Sequence, residues 1–390
     1  MRLVLVTPSG SYRIGDFLYA TEAMGCDVTV ASDAGSAIPG SFVEVAFDDP
    51  ARAAQQLVAM VGDIDGVVGT DGAAVAVAAE TARLLGLPTN AAEALATAGN
   101  KLLQRQSAAA MGVTQPDFAL IDDTAIGSWL RFPAVVKPLD RSASQGVVRV
   151  DSPDDLLDAV HTVGGIVGPG APLLVEAFVP GIEVAVEALL RGGRLDVLAV
   201  FDKPETPQGP TFPETLLVSP ARLEPETLDR LVDSVERVVA TIGLTEGPVH
   251  IEFKVDGTDV WFLELAARTI GGLCSRALQH GGVSLEELVI RHALNLPLPA
   301  PIAGPPATGV LMLPVTATGR VDAVRGVDAA RMVRGVTEVV MAVGVGQHVV
   351  ALPAGDRYLG FVFARNETAD EVEVALRAAW AAIEVEISVS

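Results

Sequence analysis

The sequence predicts an α/β fold that passes into α+β, with a leading parallel α/β domain, a strand-rich middle and a C-terminal α+β domain. Three observations predict it. Over residues 1–95, short apolar runs alternate with helix-length stretches, the pattern of a parallel sheet with crossovers. From 132 to 265, apolar strands recur with turns between them. Beyond the Pro-rich PLPAPIAGPP at 297–306, several short strands precede a final helix near Ala369–Ala382.

Taken in order, LVLV at 3–6 and DVTVAS at 27–32 are the first strands, and a helix near Asp16–Met24 between them ends at Gly25. VEVAF at 43–47 and DGVVGT at 65–70 are further strands, separated by the helical ARAAQQLVAMV. An Ala-rich helix follows from Gly72 to Leu85. No GxGxxG follows the first strand, so this region reads as scaffold rather than dinucleotide site. Near Asn100 a helix with Lys101, Leu102, Leu103 and Arg105 opens the second region, ahead of the Gly/Pro-punctuated MGVTQPDF. The strands FPAVVKP, QGVVRV, PLLVEAFV and EVAVEALL come next, with helices expected at 152–161 and 225–242. HIEFKV (250–255) and VWFLEL (260–265) flank DGTD, a hairpin turn. The expected domains are 1–95, 96–300 and 301–390.

Composition narrows the function. The 390 residues suffice for two to four domains at about 100–200 residues each. Apolar residues make up 50% of the chain, enough for sizeable cores. Acidic residues number 49 against 27 basic, a net charge of −22, which argues against a generic binder of nucleic acid or anionic membrane. A small anion held by a few local cations stays compatible. Two cysteines, Cys26 and Cys274, and five histidines lack the spacing of a disulfide scaffold or zinc site. Mean hydropathy is +0.41, carried by Ala, Val and Gly. No run reaches the roughly 18 apolar residues of a membrane span, and the four-residue run Leu3–Val6 is too short for a signal peptide. A soluble, cytoplasmic protein is expected.

Three clusters carry chemistry. In FPAVVKPLDRSASQGVVRV, 132–150, Lys137 ends an apolar strand, and Ser142, Ala143, Ser144, Gln145 and Gly146 form a small-residue loop. Small residues let backbone N–H groups approach phosphate oxygens, and a Lys adds charge there. Alone, the segment reads equally as a surface Lys before a flexible hairpin, and it lacks the P-loop pattern. In LLVEAFVPGIEVAVEAL, 173–189, Glu176 and Glu183 bracket a Pro180-Gly181 turn. Backbone groups of Glu176, Ala177, Phe178 and Val179 can meet an adenine edge, and Glu183 ribose hydroxyls. A solvated hairpin with two surface carboxylates is the plainer alternative.

The third cluster is HIEFKVDGTDVWFLELAARTIGG, 250–272. Glu252 and Glu264 lie on consecutive strands, where alternation can set them side by side. Adjacent carboxylates on an apolar hairpin call for a cation, and their hard oxygens suit Mg²⁺ bridged to phosphates. Arg268, before Gly271-Gly272, can bind a carboxylate or phosphorylated group bidentately, or pair with one of the two Glu residues.

In sequence order, Lys101, Lys137 with its loop, Glu176 to Glu183, and Glu252, Glu264 and Arg268 resemble the ATP-grasp superfamily over most of the chain. The resemblance implies an ATP-grasp fold: an N-terminal parallel α/β domain, a two-part nucleotide-binding core with a mobile lid at about 135–195, and a C-terminal α+β domain completing the core. It implies ATP held by Lys101 and Lys137 at the phosphates, with Ser142, Ser144, Gln145 and Gly146 over them. Glu176, Ala177, Phe178 and Val179 would meet adenine, Glu183 the ribose, and Glu252 and Glu264 would hold Mg²⁺ or Mn²⁺. Glu264-Leu265-Ala266-Ala267-Arg268 departs from the commoner Glu-x-Asn-x-Arg, whose Asn helps bind a second metal; Ala266 cannot coordinate a cation. Glu-x-Ala-Ala-Arg resembles the L-amino-acid ligases, as does FDKPETPQGPTFPETLLVSPARL at 201–223. The C-terminal DRYLGFVFARNETADEVEVALRAAW resembles the closing domain of these ligases and of biotin carboxylase.

The implied function is an ATP-dependent carboxylate–amine ligase that forms an amide through an acylphosphate, releasing ADP and phosphate, on amino-acid-like substrates. Arg268, Lys137 and Glu264 are the expected catalytic residues. His250, Glu214, Arg268, Gly271 and Gly272 are the expected substrate contacts, with Gly272 hinting at room for a bulky acceptor. His250 is equally a core histidine, and 201–223 equally a Pro-rich connector. Cys274 reads as a buried thiol, His280 and His292 as structural, and Ser275 and Arg276 as further candidates for the acceptor pocket. The alternatives are a carboxyphosphate-forming enzyme, like biotin carboxylase and its purine-pathway relatives, and an ATP-binding module without catalysis. The expected partners are a small carboxylate and a small amine, with no nucleic acid and no membrane. A homodimer is expected by analogy with many relatives.

Overall fold

The computed structural model describes residues 1–34, 41–121, 129, 131–205, 207–302 and 306–389. Part of the Pro-rich stretch 297–306 lies outside them.

Four parallel strands, Arg2–Val6, Asp27–Ser32, Ser41–Glu44 and Gly66–Gly69, form the leading sheet in the order third, second, first, fourth. Leu3 to Val6 are buried. A strand covered on both faces needs apolar residues without alternation, which is how this run reads. Helices Ile14–Ala23, Pro50–Val61 and Gly72–Leu84 supply the crossovers. Asp49 caps the second, accepting from Arg52 N at 3.0 Å just before Pro50.

The core is one eight-stranded antiparallel sheet. Its strand Ile182–Arg191 pairs with Arg194–Lys203 on one side and Gly247–Asp256 on the other, and Asp259–Ala266 forms that edge. The other half continues through Leu216–Ser219, Ala307–Leu313, Gly360–Asn366 and Val336–Met341. The expected boundary at 301 therefore crosses a continuous sheet, because the C-terminal region donates three of its strands. Helix Pro225–Ile242 lays Leu231, Val235, Val238 and Ile242 against Val184, Val186, Ile251 and Phe253. Helix Ala369–Ala382, closed by a capping box between Thr368 and Glu371, packs Val372, Leu376 and Ala379 over the C-terminal half. Each fully buried Val or Leu contributes about 1.5–3 kcal/mol.

A smaller antiparallel sheet carries Phe118–Ile121, Leu173–Ala177, Ala134–Pro138 and Val148–Val150, in that order. Helix Pro153–Val167 buries Leu156, Ala159 and Val163 in the same apolar cluster. The span expected for a lid, 135–195, does not coincide with this sheet. The small sheet starts at Phe118, and Ile182–Arg191 pairs along its length within the large sheet.

The ten-residue strand Arg194–Lys203 is absent from the sequence reading. Its turn carried a signal, for Gly192 and Gly193 separate two apolar runs. Both have positive φ, 58° and 80°, as a two-residue type I′ hairpin requires. No helix among the described residues is long and apolar enough to cross a membrane.

Candidate active site

The two antiparallel sheets border a cleft of about 1130 Å³. Helix Lys101–Ala110 roots one wall. Asn100 caps it, accepting from Leu102 N and Leu103 N at 3.0 and 3.2 Å, so Lys101 enters in the first turn. Its Nζ donates to Glu264 Oε1 at 2.9 Å and Arg141 O at 2.6 Å. One turn on, Arg105 Nε donates to Glu176 Oε1 at 2.6 Å, and Lys137 Nζ lies 2.6 Å from Glu176 Oε2. The Arg105 guanidinium also lies 5.2 Å over the Phe262 ring. All three of Arg105, Lys137 and Glu176 are buried. Burial pushes the Lys137 pKa down, and the Glu176 carboxylate only partly offsets it. Burial would raise Glu176, but Arg105 and Lys137 outweigh it and hold the carboxyl below its usual range. Glu176 is therefore no solvated surface group; it clamps two cations at the cleft wall.

The loop 142–146 lies beside this triad. Ala143 and Ser144 both adopt positive φ, 53° and 55°, a region non-glycine residues rarely enter. Gly146, at φ 73°, could not carry a side chain, since a Cβ there would sit 2.6 Å from Pro138 Cγ. The N–H groups of Gln145 and Gly146 are committed to Ser142 O and Pro353 O, at 3.1 and 2.8 Å. Those of Ala143 and Ser144 pair with no backbone carbonyl among the described residues. The Gln145 side chain turns away, donating to Ala354 O at 2.8 Å. In the segment expected to meet adenine, Ala177 N and Phe178 N are bonded to Asp117 O and Pro133 O at 2.9 and 3.0 Å, whereas Val179 N has no backbone partner among the described residues. Phe178 stacks with Phe212, centroids 6.5 Å apart.

The opposite wall inverts the charge pattern. Lys203 Nζ donates to Glu183 Oε1 at 2.5 Å, Glu252 Oε1 at 2.7 Å and Glu214 Oε1 at 2.8 Å. Burial lowers the Lys203 pKa, but these carboxylates more than reverse it, and the ammonium stays firmly charged. Glu252 falls well below its usual range, because Lys203 and His250 outweigh the effect of burial. Glu214 rises, driven by burial with Glu252 and Glu183 as neighbours. His250 contacts Glu252 Oε1 through Nε2 at 3.3 Å and Glu187 Oε1 through Nδ1. Burial alone would depress His250, but Glu187 and Glu252 lift its pKa to about 9. With both ring nitrogens engaged, His250 braces carboxylates and offers neither nitrogen to a substrate.

Glu252 and Glu264 face each other across the hairpin, as the alternation predicts. Yet each answers to a different ammonium, Lys203 and Lys101. Among the described residues, the carboxylates whose ligand atoms lie within 4.8 Å of one another are Glu183, Glu214 and Glu252; Glu264 is not among them.

The loop after Arg268 is gripped by the leading domain. Arg13, 1% exposed, donates from Nη1 to Thr70 O and from Nη2 to Thr269 O, both at 2.7 Å, and it also reaches Ile270 O. Ile270 N donates to Glu187 Oε2 at 2.9 Å. Among the described residues the Arg268 guanidinium bonds Thr269 O, at 2.8 Å, and it lines the cleft. Gly272 does not mark open room for an acceptor. Its φ is 59°, and a Cβ would sit 2.9 Å from Phe361 Cε1. Arg276 leaves the pocket to bind Asp16 at 2.8 and 2.9 Å and Glu338 at 3.0 and 3.1 Å, while Ser275 is buried. Cys274 is a buried thiol against Met312. Burial lowers the pKa of His292, which binds Glu246 Oε2 at 3.0 Å.

Of the site residues expected from sequence, all but Gln145, Gly146, Ser275 and Arg276 line the cleft. Lys203, Arg105, Glu187 and Arg13 are among the polar residues that the sequence reading missed. Only Lys203 had a local signal, because the Gly192-Gly193 hairpin brings it opposite Glu183.

The cleft thus carries one cluster with a surplus of cations and one with a surplus of carboxylates. Residues 130–277 match the ATP-grasp domain model, and residues 311–388 match the model of the L-amino acid ligase C-terminal domain 2. Among solved structures, the L-amino acid ligase from Bacillus licheniformis shares the fold at a TM-score of 0.84, with 24% identity over 99% of this chain and 98% of that one. A formate-dependent phosphoribosylglycinamide formyltransferase of Mycolicibacterium gilvum is 27% identical over 342 residues, covering 83% of this chain and 84% of that protein. The uncharacterized protein y4rH of Sinorhizobium fredii is 30% identical over 218 residues, 54% of this chain. The match spans less than half of that relative's length, 44%.

Proposed function

We propose that the protein is an ATP-dependent carboxylate–amine ligase acting on amino-acid-like substrates. The observation that carries this reading is the opposite charge excess of the two cleft walls. A metal-bound nucleotide presents the matching pair, anionic phosphates and a cation. The donor set suits Mg²⁺ or Mn²⁺, since Glu183, Glu214 and Glu252 converge hard oxygens, and Glu264 stands across the ladder from Glu252. When bound, the metal supplies neutralisation of charge on the transferring phosphoryl group.

The chain's own residues do the rest. Lys101, Lys137 and the N–H groups of Ala143 and Ser144 hold phosphate oxygens. Val179 N–H meets the adenine edge, beside Phe178, while Glu183, expected at the ribose, serves the metal-holding set in this reading. Arg268 orients the substrate carboxylate, whose oxygen attacks the γ-phosphorus and releases ADP. The amine then attacks the acyl carbon of the acylphosphate, and phosphate leaves with the electrons of the broken C–O bond. The amine's proton passes to a base as the amide forms. Glu214 and Gly271 border the acceptor. His250 is a positioning residue, holding Glu252 and Glu187 in place. The small sheet and the loop tied to Pro353 and Ala354 keep water from the acylphosphate. Catalysis by this route is positioning and charge stabilisation. A cytoplasmic location and a homodimer belong to the same reading.

The test is release of ADP and phosphate from Mg·ATP against single and paired amino acids, with bicarbonate as a separate arm. The expected result is release that depends on an amino acid, with a new amide in the mass spectrum. Release driven by bicarbonate alone would replace this reading with carboxyphosphate formation. Nucleotide binding without release on any arm would leave a binding module.

A further inference from the structure

Lys203 occupies the point in the cleft where a cation would otherwise sit. Its ammonium, on a residue 6% exposed, is ringed by Glu183, Glu214 and Glu252 at 2.5, 2.8 and 2.7 Å. Each carboxylate is also held from outside. Lys254 Nζ lies 3.6 Å from Glu183 Oε2, the Tyr358 hydroxyl 3.5 Å from Glu214 Oε2, and His250 Nε2 3.3 Å from Glu252 Oε1. The three would keep facing one another if Lys203 withdrew. A separate observation points to a ligand at this place. Thr215 Oγ1, beside Glu214, is buried and has no hydrogen-bond partner among the described residues, and Thr215 lines the same cleft.

We propose that Lys203 is the resident counter-cation of the metal site. In the free protein it fills the Glu183–Glu214–Glu252 cage and keeps divalent metal out. When nucleotide arrives, the ammonium moves to the phosphoryl oxygens and the metal takes its place. The physics runs through the cost of an unpaired buried charge. A metal entering alone would strand the Lys203 ammonium. A metal entering with a triphosphate gives that ammonium a new partner. Lys suits this role better than Arg, because its charge is compact and its stem flexible. Metal and nucleotide binding are then positively coupled, each tightening the other by the same factor. The inference rests on the ligase reading only for its nucleotide.

The probe is Mn²⁺, titrated into the full chain and followed by the electron paramagnetic resonance signal of the free ion. A non-hydrolysable ATP analogue is absent in one arm and present in the other. The unsubstituted protein should bind Mn²⁺ weakly alone and at least about tenfold more tightly with the analogue. Lys203→Met should bind Mn²⁺ alone about tenfold more tightly than the parent, with less gain from nucleotide. Adding Glu214→Gln to that variant should cancel the gain. Thermal melting covers the case of an unstable Lys203→Met, since Mn²⁺ should raise its Tm more than the parent's. A variant that Mn²⁺ does not stabilise further than the parent counts against the proposal. So does a folded Lys203→Met that binds Mn²⁺ no more tightly than the parent, or a parent indifferent to nucleotide. Calorimetry with the analogue in chelator separates the two readings. No nucleotide binding defeats the ligase assignment, whereas normal nucleotide binding without the metal effect defeats only the role of Lys203.

Discussion

The cleft holds two buried ionic clusters that are near mirror images. Around Glu176, two cations share one carboxylate; around Lys203, three carboxylates share one cation. The first is closed, with little exposure on any member, while the carboxylates of the second are part-exposed. The difference teaches that burying ions does not by itself define a site. A cluster with a surplus of one sign, open on one side, is unfinished until a ligand of the other sign arrives. The Glu176 cluster leaves a positive surplus for phosphates, and the Lys203 cluster a negative surplus for metal.

The largest expected effect tests the closed cluster. Glu176→Gln leaves Arg105 and Lys137 buried without their counter-ion, and should cost about 3–5 kcal/mol of stability, read by denaturant unfolding. A loss below 1 kcal/mol would mean that water reaches this cluster. Next, Glu252→Gln in the open cluster should lower turnover about 10²–10³-fold with a smaller change in stability. Equal losses in both readouts would erase the distinction between the clusters.

A third prediction uses pH. Folded His250 keeps its proton to about 9, against 6.5 as the reference value. Its stabilisation is complete below the unfolded value and is lost as pH rises through the folded one, amounting to about 3 kcal/mol. Unfolding free energies across that window should fall in the parent and stay flatter in His250→Gln. Equal slopes would show that Glu187 and Glu252 do not hold an imidazolium. The smallest effect is a control outside both clusters. Arg276→Ala removes part-exposed pairs with Asp16 and Glu338, and should cost about 1 kcal/mol or less, with kcat unchanged.

What was legible in the sequence was local. The Asp-Gly-Thr-Asp turn and the flanking alternation placed Glu252 opposite Glu264, and the observed register agrees. The final helix was expected near Ala369–Ala382 and is found there, closed by the capping box of Thr368 and Glu371. What was not legible depends on distant partners. Lys203 reads as one more charge near a Pro-rich segment until strand pairing surrounds it with carboxylates from three other places in the chain. Arg105 reads only as one residue of the helix near Asn100, because its partner Glu176 lies 71 positions away. Glycine misled in the other direction. Gly272 suggested space, but its backbone conformation and the Phe361 ring account for it.

Arg13 has a consequence for anyone recombining such proteins. Its guanidinium is plugged into carbonyls of Thr269 and Ile270, more than 250 positions downstream. The leading domain is therefore not a detachable cassette, although its sheet is separate. A chimera that grafts another first domain at residue 95 would swap out the plug and keep the socket. Such an exchange should work only when the donor brings an equivalent arginine or when residues 269–270 travel with it, so the functional seam of this protein runs across the chain rather than along it.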